Sequence, residues 1–292
     1  MSVSRFVERN LRWILPLPAA LLVVMLMIFP VFFTIYLSLN DWNMLSGGTI
    51  SFTGLQNYVE MLCDARFWNA TLRTICFTAL AVGVETALGV GIALMLERDF
   101  RGKGLAKLLL LLPMVATPVA IGLAWTLFYE PTIGLANHIL KMLGMPASKW
   151  IASNMAVIPS LAIVDIWEWT PMIALMAMAG LASLPPEPFE SAMVDGATAF
   201  QRFRHVTLPL LSPVIIVAVV LRGIEGLKTF DIIYVMTAGG PGQASETLNI
   251  YSYNLSFNYF RFGAASATLI ALFLLVLGST LGMLRLRKTF DF

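Results

Sequence analysis

Five ionisable side chains stand inside long apolar runs: Glu85, Asp165, Glu168, Arg222 and Glu225. Asp165 and Glu168 are three residues apart, as are Arg222 and Glu225, so each pair shares a face if the runs are helical. A lone charge at mid-membrane costs roughly 2.5–3.5 kcal/mol on insertion scales, which directs these faces into the protein or into a wet cavity. Two chemistries fit. Asp165, Trp167, Glu168 and Trp169 set hydrogen-bonding groups beside aromatic platforms, as a hydroxyl-rich solute would need along its route. Alternatively, Arg222 is neutralised by Glu225 or by Asp165 in a structural ion-pair network. A third use, with Asp165, Glu168 and Glu85 as a proton relay, would make a secondary transporter, and Asp165 with Glu168 is the one acid pair an intramembrane enzyme could use.

Other chemistry has little to work with. His138 and His205 are the only histidines, stand far apart and form no metal set with Cys63 and Cys76. A phosphate-cradling loop needs G-x-x-x-x-G-K-[ST]; Gly239-Gly240-Pro241-Gly242 has no following lysine, and Gly102-Lys103-Gly104 has the wrong spacing. The chain is therefore expected to bind no metal or nucleotide and to catalyse no bond change. Cys63, in an outer loop, and Cys76, inside the second span, are expected to stay unpaired.

A polar loop between two apolar runs carries a different signal. Glu190-Ser191-Ala192 is followed after three residues by Gly196, and after nine more by Val206-Thr207-Leu208-Pro209. Pro186 and Pro188 suit a first helical turn, and Glu187 and Glu190 set negative charge at the positive end of the helix dipole. Asp195-Gly196 ends that helix, because glycine accepts the left-handed conformation. Thr198 caps a second short helix to about Val206, with Phe200 and Phe203 on one side. Such an elbow with apolar knobs suits another protein's grip.

The elements that must hold these residues are membrane helices. Of 292 residues, 58% are hydrophobic and 12% charged, and the mean hydropathy is +0.80. Six runs are long enough to cross a roughly 30 Å hydrocarbon core: 14–37, 71–96, 107–129, 155–181, 210–226 and 263–284. No alternation suggests barrel strands. Arg5, Arg9 and Arg12, then Arg98, Arg101, Lys103 and Lys107, then Arg202 and Arg204, then Arg285, Arg287 and Lys288 all fall on one side. Both termini and the loop at about 184–208 are thus expected in the cytoplasm, a cysteine at Ser2 labelling from inside and one at Ser245 from outside. The net charge of +2 reports this topology, not nucleic-acid binding. The first run, too long for a signal-peptide core, is expected to stay as an anchor. Pro113 and Pro118 are expected to kink the third span.

The loop resembles the EAA loop of ABC importer permeases, with Ser191 for one alanine and Val206 for an isoleucine. Ser38-Leu39-Asn40-Asp41-Trp42, Gly54-Leu55-x-Asn57-Tyr58, Thr237-Ala238-Gly239-Gly240-Pro241 and Phe262-Gly263-Ala264-Ala265-Ser266-Ala267 are similar to the permeases of maltose- and glycerol-phosphate-type carbohydrate importers. The resemblance implies an all-α, six-span permease, one domain over residues 1–292, in the bacterial cytoplasmic membrane. It would work with a second permease, two ATPase subunits that bind ATP and Mg, and a periplasmic or lipid-anchored solute-binding protein that docks near the Gly-Gly-Pro turn. Coupling to the ATPase would fall on Glu190, Ala192, Asp195, Gly196 and Ala197. The solute route would fall near Asp165, Trp167, Glu168, Arg222, Gly226 and Thr229. Alternating access would carry a carbohydrate or related polyol or glycoside; an amino-acid or phosphate importer would keep the loop but change the outer motifs.

Overall fold

The computed structural model describes residues 10–13 and 15–290; Ser2, Arg5, Arg9 and Ile14 lie outside the described residues. Five of the described helices are long and apolar enough to span a membrane, or up to six if a bent pair is one span. They are α1 (Asn10–Ser38), α3 (Ala65–Glu97), α7 (Val157–Ala182), α9 (Ala199–Leu227) and α12 (Phe262–Phe290), with α4 (Lys103–Val115) and α5 (Pro118–Phe128) as the bent pair. Between them lie α2 (Gln56–Cys63), α6 (Leu135–Met142), α8 (Glu187–Val194), α10 (Asp231–Thr237) and α11 (Leu248–Tyr253).

The third span is not the single helix expected over 107–129. α4 and α5 meet at 97°. The cause is local: Pro118 opens α5, a proline disfavours helical backbone in the residue before it, and Ala116 and Thr117 are both extended. Thr117 then caps α5 by accepting from the Ala120 amide. Pro113, by contrast, stays inside α4.

The chain's contacts divide it into two compact units. The first joins the stretch up to Ala65 with Ser252–Phe273. Its α1 leaves most of its large apolar side chains exposed, as a helix in lipid or against another subunit does. After α1 comes a pair of strands, β1 (Asn40–Trp42) and β2 (Ile50–Phe52), antiparallel with Asn40 opposite Phe52 and Trp42 opposite Ile50. This short hairpin lies outside the spans. Asn57 is buried and donates to the carbonyls of Ser38 (3.0 Å) and Asn40 (2.9 Å), while Tyr58 shares a 2.7 Å hydroxyl pair with Ser38. Trp42 packs its ring 4.8 Å from that of Phe262. Gly263 lies against the Asn40 carbonyl so closely that a Cβ there would collide with backbone. Two sequence-distant motifs are thus one packed cap.

The second unit spans Arg66–Tyr251 and the chain from Leu274. Its core is built from Phe77 and Ala81 of α3, Ile121 of α5, Val157 and Leu161 of α7, and Ile232 and Ile233 of α10. Tyr129 is buried there, donating to the Ser160 carbonyl at 3.0 Å and stacking on Trp150. Glycines set the closest helix approaches: an added Cβ at Gly89 would sit 2.8 Å from Ile173, and one at Gly180 2.7 Å from Leu211. Small residues at such crossings let helix backbones approach in a membrane.

Candidate functional sites: a capped elbow and a buried ion triad

The elbow is built from backbone caps. α8 starts at Glu187 behind Pro186, with Glu187 and Glu190 in its first turn. At its end Gly196 is left-handed, with φ +74°. Its N–H donates to Met193 (3.1 Å), and the Ala197 N–H reaches back to Ala192 (2.9 Å). Those two bonds are the Schellman pattern, so Ala192, Asp195, Gly196 and Ala197 together form one helix stop. Thr198 immediately starts the next helix: its hydroxyl accepts from the Gln201 amide at 3.3 Å, and Gln201 returns its side-chain oxygen to the Thr198 N–H at 2.8 Å. Met193, Val194 and Phe200 are exposed, and so is Glu190.

The second arm does not stop near Val206. It runs on without interruption from Ala199 to Leu227, through a π-helical turn at Phe203–Thr207. That wide turn comes just before Pro209, which has no N–H to give to the helix, and Thr207 donates to the Arg202 carbonyl at 3.4 Å. Phe203 anchors the arm against Val90, Ala93, Leu181 and Leu211.

Further along α9, Arg222 lies almost wholly buried between two acids. Its Nε donates to Glu85 at 2.8 Å and a terminal nitrogen reaches the other Glu85 oxygen at 3.3 Å; that nitrogen also binds Asp165. The guanidinium carbon lies 5.1 Å from the centre of the Trp169 ring. One cation thus ties together α3, α7 and α9. One Asp165 oxygen and one Glu168 oxygen remain buried with no hydrogen-bond partner.

The six residues expected on a solute route do not converge. Asp165 and Arg222 are joined in the triad, and Glu168, three residues beyond Asp165 on α7, is buried without bonding Arg222. Trp167 is 47% exposed and packs edge-on against Trp125, so it does not share the buried environment of Asp165. Two helical residues turn the chain by about 200°, which sets neighbours two apart on nearly opposite faces. Gly226 packs on Thr78, and Thr229 lies past the end of α9, bonded to the Glu225 carbonyl. Glu225 itself does not neutralise Arg222: it is exposed and pairs with Lys228 at 2.9 Å. Glu85 is the partner that spacing could not name, since its mate lies 137 residues away. The demand that a membrane-buried arginine find an acid is the signal that pointed toward it. Beside Gly223 lies an open groove of about 500 Å³ whose lining includes Thr78, Thr86 and Ser279.

The Gly-Gly-Pro turn is tight and non-helical, with a cis peptide before Pro241 and left-handed backbone at Ala238, Gly239, Gly242 and Gln243. Ser245 is fully buried, donating to the Gly240 carbonyl at 2.6 Å, so the expectation that a cysteine there would be labelled from outside is corrected. The neighbouring Glu246 receives two 2.7 Å bonds from Arg66.

A bundle of helices long and apolar enough to span a membrane, with an elbow at the start of α9, is the architecture of an integral membrane protein. Residues 86–288 match the family described as binding-protein-dependent transport system inner membrane component, and the chain belongs to that family. It is similar to the trehalose/maltose transport system permease protein MalF of Thermococcus litoralis, 36% identical and covering 98% of this chain and 97% of that one. The sulfoquinovosyl glycerol transport system permease protein SmoG of Agrobacterium fabrum is 34% identical over 97% of this chain and 92% of its own. A chain in the crystal structure of a bacterial alginate ABC transporter, in complex with alginate pentasaccharide-bound periplasmic protein, shares the fold at TM-score 0.83. There the identity is 20%, covering 99% of this chain and 98% of the other.

Proposed function

We propose that this permease carries a carbohydrate, in particular a glycoside, across the cytoplasmic membrane as one half of an ATP-driven importer. Its partners are a second permease, two ATPase subunits that hold ATP and Mg, and a solute-binding protein on the outer side; both termini of this chain face the cytoplasm. The single observation that carries the reading is the mechanical continuity from α8, through a capped elbow, into the helix that bears Arg222. Movement imposed on α8 by an ATPase is delivered to the centre of the α3–α7–α9 bundle, where it reorients the spans between outward- and inward-open states. Glu190 meets a basic group of the ATPase, while Ala192, Asp195, Gly196 and Ala197 hold the elbow. Glycosides named for the relatives supply the solute class.

Proteoliposomes containing the complex purified with its partners test this. Trehalose, maltose and sulfoquinovosyl glycerol are offered outside together with the receptor, and ATP inside. Uptake of at least one glycoside that requires both ATP and receptor is expected. Uptake that ignores ATP and collapses with an uncoupler would instead favour a proton-coupled carrier using Glu85, Asp165 and Glu168.

A further inference from the structure

The crevice shared by α3, α4 and α7 changes character along its length. One part is an apolar space of about 570 Å³ lined by Leu88 and Ile92, by Leu110 and Pro113, and by Ile166 and Trp167. The other is a smaller space of about 270 Å³ bounded by Leu96, Glu97, Lys103, Lys107 and Leu181, two cations against one acid. The two follow one another on all three helices: Ile92 is succeeded by Ala93, Lys107 leads to Leu109, and Pro171 leads to Met178. The same three helices therefore wall an apolar space and, further along, a smaller space with two lysines and one glutamate on its rim.

Charge at that rim is unbalanced. Residues 97–107 carry four basic side chains against two acids. Lys103 bonds Asp99 at 2.9 Å, while Lys107 is half-buried and has no hydrogen-bonded acid among the described residues. α4 begins at the same place with Gly102 at its cap, no capping side chain and no acid in its first turn, so its positive end adds to the lysines. Along α7, the fifteen steps from Trp167 to Ala182 rise about 22 Å, against roughly 15 Å of hydrocarbon in one leaflet. The crevice is thus long enough to take an acyl chain from the headgroup level to mid-membrane.

We propose that α3, α4 and α7 form a binding site for one anionic phospholipid. Its phosphate lies between Lys103 and Lys107, and one acyl chain follows Leu88 and Ile92 toward Trp167. Nothing in this assignment depends on which solute is carried.

The full-length chain, purified from membranes, delipidated in detergent and titrated with phosphatidylglycerol or phosphatidylcholine, tests it by native mass spectrometry. Phosphatidylglycerol is expected to bind at least about tenfold tighter. Each lysine near a headgroup contributes about fivefold, so Lys103→Gln with Lys107→Gln should weaken phosphatidylglycerol about thirtyfold, while Lys149→Gln, exposed in the stretch before α7, leaves it unchanged. Leu88→Trp, which fills the apolar part, should weaken both lipids. Equal binding of the two lipids, or unchanged phosphatidylglycerol retention in the double lysine variant, overturns the proposal. So does glycerol phosphate that competes at the same concentration as phosphatidylglycerol, since a headgroup alone would then suffice.

Discussion

Replacing Arg222 by methionine keeps most of the side-chain length but removes the only cation bonded to Glu85 and Asp165 among the described residues. The structure sets the magnitude. Arg222 makes two bonds to Glu85 and one to Asp165, and all three residues are at most 2% exposed, so little solvent screens the loss. Breaking a buried pair by deleting one partner costs about 3–5 kcal/mol, because an uncompensated charge is left behind. Asp165→Asn removes one charge-assisted bond while Glu85 still faces Arg222, and should cost about 1.5–3 kcal/mol. The combination Glu85→Gln, Asp165→Asn, Arg222→Met should recover much of the loss, since no buried charge remains. The assay is the thermal midpoint of the purified complex for each single, double and triple variant, with uptake measured alongside. Strictly additive losses would refute the triad as a coupled unit. A stable Asp165→Asn complex that no longer transports would instead put Asp165 on the solute route.

Gly196→Val should strain the elbow by about 1–2 kcal/mol, because its φ of +74° is hostile to a β-branched residue, and should lower solute-stimulated ATP hydrolysis while membrane insertion stays normal; unchanged hydrolysis removes the elbow from coupling. Gly263→Ala should loosen the outer cap by about 1–3 kcal/mol, since its methyl meets the Asn40 carbonyl, and faster proteolysis between residues 40 and 60 is the readout. In a background lacking Cys63 and Cys76, a cysteine at the exposed Ala147 should react with an impermeant maleimide from outside, whereas one at the buried Ser245 should not react from either side. Labelling of Ala147 only after the membrane is opened would reverse the topology.

Local rules made much of the fold readable before any coordinates. The spans followed from apolar length, and the helix stop at Gly196 and the cap at Thr198 followed from residue types that act within a few positions of themselves. The hidden features depend on tertiary context. Pro118 announced a kink, but a right-angled break required both Ala116 and Thr117 to leave helical backbone. The second arm continued past Val206 because a π turn reconciles the helix with Pro209, something no propensity at those positions declares. Glu225 looked like the mate of Arg222 by spacing, yet at that depth it reaches solvent and Lys228, while Glu85 arrives from a distant helix. Trp167 and Asp165, adjacent in the reading of a polar face, are separated by helical geometry. Ser245 showed only that polar composition does not imply exposure when a turn folds over its own hydroxyl.

The caps on either side of Gly196 have a mechanical meaning. A loop of loosely held residues would absorb rotation as a slack cable does, but here the stop of α8 and the start of α9 share neighbouring residues with their backbone bonds already made. Under the coupling proposed above, the joint would act as a welded bracket and convey torque as well as pull. One step inward, at Phe203–Thr207, the helix changes its hydrogen-bond register to a π turn, and any give along α9 would fall there. Sequence changes in those five residues would tune the stiffness of the drive shaft without touching either of its ends.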